Sequence, residues 1–302
     1  MALRLYERLL NILGWVAVVS IILVFAALLF WPKADLTPPI FDVQMHYNRE
    51  AWYIFSPSAV IGTMKELGIR YAAVSSAPNE GTFRLYRENS LRVFPLLTPY
   101  QSIQDQHNWF MNRGVIEMLR KALQNGRYRG IGEVHLFDGQ VTGPVVQFLV
   151  EQAVARDMIL LTHSDVEAIK QLYRLNPDLR ILWAHAGITA QPLVIDNMMY
   201  KYPTLLAELS HRTDMLWDKK LKPKWRRLLL RYPGRFMVGT GTYNNSFWYE
   251  YRYTIGRIRK WLRELPPDVA EDIGHRNAVR LFARKKNYSL DRGERYQVTV
   301  AR

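Results

Sequence analysis

The feature that most constrains this chain is a series of short apolar runs that end on histidine. Residues 41–46, 130–135, 158–163 and 181–185 end on His46, His135, His163 and His185, and residues 205–211 end on His211. These five are most of the seven histidines in the chain. Runs that are continuously apolar, rather than alternating, read as parallel strands buried on both faces. A histidine at the C-terminal end of such a strand points into the mouth of an α/β barrel, where enzymes of that architecture keep their chemistry. Several of them, each from a different strand, point to a shared metal or proton-transfer site.

Strand-like and helix-like stretches alternate from residue 40 to about residue 282. The strands fall at 40–46, 71–75, 92–97, 130–135, 158–163, 181–185, 205–210 and 236–240. Helices are expected at 58–67, 108–124, 143–155, 165–175, 192–200, 222–231 and 247–262, with Ser58 and Asp165 as N-caps. Eight strands alternating with helices over roughly 250 residues is the count and size of a TIM (β/α)8 barrel, an α/β fold. No Gly-x-Gly-x-x-Gly turn follows a strand, so a dinucleotide-binding open sheet has no support.

From Leu9 to Trp31 no residue is charged. A helix crosses the hydrocarbon core with roughly 20 apolar residues, so one N-terminal transmembrane helix is expected before the barrel. Bulky Leu28, Leu29, Phe30 and Trp31 leave no small-x-small cleavage site, which favours a retained anchor over a signal peptide. Arg4 and Arg8 precede the segment, and the positive-inside bias puts the domain on the outer, periplasmic face of a single-pass protein. The expected organisation is an anchor at 1–33, a linker at 34–39, the barrel at 40–285 and a polar tail at 286–302. With no cysteine, any metal must be held by nitrogen and oxygen. The net charge of +14 implies anionic partners. Beside an anchor, the basic stretch 217–231 with its tryptophans suits an anionic lipid surface better than nucleic acid, with a solvated barrel helix as the plain reading.

Ordered along the chain, the strand ends read Asp42-Val43-Gln44-Met45-His46, Gly132-Glu133-Val134-His135, His163, His185-Ala186-Gly187 and Gly239-Thr240-Gly241-Thr242. A last helix carries Gly274-His275-Arg276-Asn277-Ala278-Val279-Arg280-Leu281-Phe282. This series resembles the amidohydrolase superfamily, most closely the amidohydrolase-related (amidohydrolase 2) branch, over about residues 38–285. The Gly-Glu of the fourth strand is also similar to the TatD-type hydrolases of that superfamily. The resemblance implies a metal-binding TIM barrel with a His-x-His pair on strand 1, histidines on strands 5 and 6, and an aspartate ending strand 8 that binds metal and relays a proton. This chain has Gln44 for the first histidine of the pair and Gly241 for that aspartate.

The expected centre is one divalent metal ion, zinc first, on His46, Glu133, His163 and His185. Glu133 is a ligand or general base and His185 sits with it at the catalytic position. His135, His211 and Arg212 are expected to bind a small-molecule substrate, with Arg212 as an anion clamp or, more plainly, as the partner of Asp214. The aromatics of 243–251 line the pocket or form a lid on the rim. The expected activity is metal-dependent hydrolysis of a C–N or ester bond, with decarboxylation as a further reaction. The alternative is a catalytically inactive scaffold or binding protein at the membrane. Replacing Gly241 by aspartate together with Gln44 by histidine is expected to raise metal affinity or create activity on simple esters.

Overall fold

The computed structural model describes residues 13–21, 38–218 and 220–282. It divides into two units, Met1–Leu36 and Thr37–Arg302. In the first, residues 13–21 are helical, and the rest of the expected span lies outside the described residues. Among the described residues no helix is long and apolar enough to cross a membrane. The tail expected at 286–302 also lies outside them.

The second unit holds eight parallel strands in sequential order: β1 (Ile40–His46), β2 (Ile69–Ser75), β3 (Val93–Leu97), β4 (Gly130–Leu136), β5 (Ile159–Ser164), β6 (Arg180–Trp183), β7 (Leu206–Glu208) and β8 (Phe236–Met237). Just past β8 the ring closes onto β1, where the Val43 N–H donates to the Val238 carbonyl at 3.1 Å and the Gly241 N–H to the Gln44 carbonyl at 2.7 Å. Helices α1 (Pro57–Glu66), α2 (Glu80–Glu88), α3 (Gly114–Leu123), α4 (Pro144–Ala155), α5 (Val166–Leu175), α6 (Pro192–Lys201) and α7 (Pro223–Arg231) follow the first seven strands. Their starts obey local chemistry. Ser56 and Asp165 accept from backbone N–H groups three residues on, and proline opens α1, α4, α6 and α7, where its missing N–H costs nothing. The N-cap of α1 is Ser56 rather than the expected Ser58.

Two apolar clusters fill the molecule. One lies between strands and helices; the other, inside the barrel, includes Phe41, Val43, Phe94, Leu96, Leu161 and Met237. A C-terminal helix, Asn277–Phe282, caps this inner cluster at the strand N-termini. The Phe282 ring stacks on Phe41 with centroids 5.3 Å apart. The mouth at the other end is left for polar side chains.

Strict alternation fails on two strands. β1 has a register irregularity between Asp42 and Met45, and β4 has one between Ile131 and Val134. Each resets which residues face inward: Phe41 and Val43 join the inner cluster, while Gln44 and His46 beyond the irregularity meet Glu133 across the barrel. β-Bulges re-aim side chains in this way beside functional sites. Gly132 is required at the second one. Its φ is +125°, and a Cβ there would lie 2.1 Å from the Leu161 carbonyl oxygen.

Candidate metal centre

Glu133 is the hub of the mouth. Its Oε2 lies 3.1 Å from His46 Nε2. Its Oε1 lies 3.3 Å from His185 Nε2 and 3.6 Å from His163 Nδ1, and accepts from the Gln44 amide at 2.7 Å. Glu133, His163 and His185 offer donor atoms that all lie within 4.8 Å of one another, a cluster that suggests a divalent metal site. His46 stands on the other carboxylate oxygen, so the four expected residues converge as a triad with a fourth nitrogen alongside.

The positions of the histidines have local causes. His46 ends β1 and His163 is the penultimate residue of β5, but His185 lies two residues beyond β6 in a short 3-10 turn, with φ 54° and ψ 21°. The expected strand end at 185 is therefore corrected: the chain turns left-handed there, and that turn carries the imidazole. Gly187 follows at φ +75°, where a Cβ would meet the Trp183 ring at 2.2 Å.

A second layer holds the imidazoles. Ser75 Oγ is 3.1 Å from His46 Nδ1. Ser210 Oγ is 2.8 Å, and Glu208 Oε1 3.2 Å, from His185 Nδ1. With the outer nitrogens engaged, both Nε2 atoms are left facing Glu133, the arrangement by which outer partners fix the tautomer of a metal-binding histidine. Glu208 itself is fully buried on β7 and also accepts from the backbone N–H of His185 and, at 2.7 Å, of Ser210. Gly239 makes room for it, since a Cβ there would lie 2.5 Å from Glu208 Oε2. Asp42 is equally buried, accepting from the Thr240 hydroxyl at 2.6 Å and the Tyr251 hydroxyl at 3.3 Å.

Burial alone would raise Glu133, yet its histidine partners outweigh it and hold the carboxyl well below the usual range. Burial lowers His185, but Glu133 and Glu208 on either side push it up to about 10. Glu208 is lowered against its own burial by hydrogen bonding to His185. His135 is brought down to about 4 by burial, so its imidazole is neutral. Burial pushes Asp42 up to about 6.

The remaining expected residues are placed less evenly. His135 packs on His163, centroids 4.7 Å apart, with its Nδ1 3.4 Å from the Tyr100 hydroxyl. His211 packs between His185 and Phe247 with tilted rings, centroids 5.2 and 4.6 Å away. Its Nε2 donates to the Gly241 carbonyl at 3.0 Å, and burial lowers its pKa. Arg212 departs from the anion clamp. Its guanidinium is buried, paired with Asp214 through Nε (2.8 Å) and Nη2 (2.9 Å), and the other donors go to the carbonyls of His185, Ala186 and Ala190. Every N–H is engaged, so it pins the loop that carries His185. Gln44 is no ligand as it stands, because its oxygen accepts from Ser210 Oγ at 2.9 Å and only its amide NH2 faces Glu133. Of the aromatics, Tyr243 stands edge-on to His46 at 6.3 Å, whereas Trp248 packs into the rim against Tyr47 and Phe55.

Glu208, Ser210 as a tautomer-setting hydroxyl, and Asp42 are the site residues that the strand-end pattern misses. A signal for Glu208 exists: it is the one acid inside the apolar run 205–209. A carboxylate there must find hydrogen-bonding partners.

Known proteins agree with the barrel. A family model described as Amidohydrolase matches residues 109–284, more than half of the chain. The chain belongs to that amidohydrolase family. Among solved structures, an Acinetobacter baumannii protein described as a 2-pyrone-4,6-dicarboxylic acid hydrolase, with citric acid bound, has a TM-score of 0.54 at 11% identity, covering 81% of this chain and 99% of its own. A Pseudomonas putida protein of the same description has a TM-score of 0.54 at 12% identity, covering 81% and 97%. An Agrobacterium tumefaciens protein in its apo form has a TM-score of 0.53 at 16% identity, covering 82% and 98%. At these identities the likeness is one of fold. No curated protein matches the sequence.

Proposed function

We propose that this chain is a divalent-metal-dependent hydrolase of a C–N or ester bond, held at the outer face of a membrane by the apolar segment 9–31. The observation that carries the reading is the convergence of His46, His163 and His185 on the two oxygens of Glu133 within 3.6 Å. The donor set fits a cation of the zinc type: nitrogen and carboxylate oxygen, with the far sides of two imidazoles fixed by hydroxyls. Glu133, His163 and His185 would hold it, with His46 beside them. When bound, such an ion polarises a carbonyl and makes water easier to deprotonate.

The chain's own groups do the rest. The ionised Glu133 is both a ligand and a base within reach of a proton at the centre. The Glu208 carboxylate and Ser210 keep His185 turned inward. His211 and His135, both depressed toward the neutral form, are uncharged walls that accept or donate single hydrogen bonds to a small substrate. Arg212 supplies no charge to that substrate, so carboxylated lactones, suggested by the descriptions of two structural neighbours, do not take precedence over neutral ones.

The test is a panel of lactones, esters and amides, with and without carboxylates, incubated with the chain after loading with zinc, manganese or iron. Release of carbon dioxide is followed in parallel, to separate decarboxylation from hydrolysis. Metal-dependent turnover that disappears in Glu133→Gln supports the reading. No turnover by a folded, metal-loaded chain moves the assignment to the inactive scaffold, which the fully engaged Arg212 and the hydrogen-bonded Gln44 favour.

A further inference from the structure

The cations of the barrel are unevenly divided between its two ends. The seven turns that join a helix to the next strand lie opposite the histidine cluster. Counted from the last turn of each helix through the first two residues of the strand, bases outnumber acids in six of them and balance in the seventh, at Arg156 and Asp157. The turn between α3 and β4 holds Arg120, Lys121, Arg127 and Arg129 and no acid. At the mouth, by contrast, only loop 209–222 carries a net positive charge.

Some of these cations are paired, Arg120 with Glu117, Arg174 with Glu167, Arg180 with Asp157 and Arg231 with Asp196, while others are held by backbone carbonyls. Arg92 donates to the carbonyls of Ile69 and Arg70 at 3.2 and 3.1 Å, and Arg235 to those of Leu205 and Tyr202. Carbonyls orient a guanidinium but leave its charge in place. Among the described residues neither arginine has a carboxylate partner. Lys121, Arg127 and Lys201 are exposed at the same end.

The chain also enters the barrel here. β1 begins at Ile40, and the carbonyl of Pro38 is held by Arg259 beside Leu67. The first described residues of the barrel therefore lie at the basic end.

We propose that this end of the barrel is a docking face for an anionic lipid surface, with the histidine mouth turned toward solution. The orientation rests on the anchor reading above and is independent of the hydrolase reading. A membrane-embedded 9–31 leaves only residues 32–37 before the barrel, which span at most roughly 20 Å. Basic residues within about 10 Å of an anionic surface each strengthen binding by roughly fivefold, an attraction that salt screens.

The chain has no cysteine, so a single introduced one labels uniquely. The full chain carries a fluorophore on Asn125→Cys, at the basic end, or on Ser246→Cys, in a mouth loop. Each is mixed with vesicles of phosphatidylcholine alone or with phosphatidylglycerol, both containing a headgroup nitroxide quencher. The expected result is quenching of the Asn125 label that requires phosphatidylglycerol and fades at high salt, with the Ser246 label unaffected. Lys121→Gln/Arg127→Gln/Lys201→Gln, all at exposed positions, should weaken the phosphatidylglycerol-dependent part by about a hundredfold. Stronger quenching at Ser246, equal quenching of Asn125 on both lipids, or an unchanged triple variant overturns the face. If Lys222→Gln/Lys224→Gln abolishes the effect instead, the lipid contact belongs to the 209–231 side. Recovery with phosphatidylcholine vesicles reads the anchor separately. A chain that stays in solution there, but is quenched at Asn125 on phosphatidylglycerol, loses the anchor and keeps the face.

Discussion

At the residue scale the centre is one carboxylate shared by several imidazoles, and its protons decide its affinity for metal. His185 is held up to about 10 between Glu133 and Glu208, so without metal it is protonated at neutral pH. A ligating imidazole must be neutral, and binding therefore expels that proton. Apparent metal affinity should rise about tenfold per pH unit below that value. Titration calorimetry in buffers of different ionisation enthalpy should find about one proton released; an affinity flat in pH contradicts the account. Glu208→Gln removes one of the two charges that raise His185 and leaves buried N–H donors with a weaker acceptor. It should lower the His185 pKa, as read by NMR, and cost about 1–3 kcal/mol in urea unfolding. The histidines were legible because each closes an apolar run. Glu208 was not read from its own run, and the engagement of Arg212 was left open beside the clamp, because a sequence shows a charge but not the carbonyls it will meet.

At the level of elements, the irregularities of β1 and β4 and the turn after β6 build the site. The pattern of continuous apolar runs predicted the strands, and with them the barrel, because parallel strands buried on both faces are apolar throughout. It could not predict the bulges, since one residue inserted in a ladder leaves no mark on composition. The same limit applies to Gly241. The family resemblance suggested restoring an aspartate there, but Gly241 has φ +61°, and a Cβ would lie 2.2 Å from His211 Nε2. The imidazole from the loop after β7 already fills the space. Gly241→Asp alone should lose about 1–3 kcal/mol of stability from backbone strain and displace His211. Adding His211→Ala should recover part of that loss. A Gly241→Asp chain as stable as the parent, with His211 unmoved in its NMR spectrum, would show that this loop is built differently.

For the whole molecule, the barrel is sealed at one end by its last described helix and left polar at the other. Phe282→Ala removes a ring that stacks on Phe41 and packs near Phe94 within the inner cluster. It should cost about 3–5 kcal/mol while leaving metal stoichiometry at the opposite end intact. Loss of metal in that variant would mean the two ends are not independent. Near the sealed end, His275 stacks on Tyr71, and burial with nearby Arg70 and Arg276 lowers it to about 4. A depressed histidine leaves the folded chain neutral while the unfolded chain takes up a proton, so stability falls as pH drops from about 6.5 toward 4. That loss approaches about 3 kcal/mol and should be absent in His275→Phe. Chain length and strand count made the overall architecture legible. The sealed end was not, because its inner apolar cluster joins side chains from most of the strands and the last helix.

The most direct test of the central claim is the metal content of the purified full chain, by elemental analysis, beside His163→Ala/His185→Ala. The account predicts close to one divalent ion per chain, retained through dialysis and lost from the folded double variant. A folded parent chain that stays metal-free after exposure to zinc, manganese and iron would contradict it.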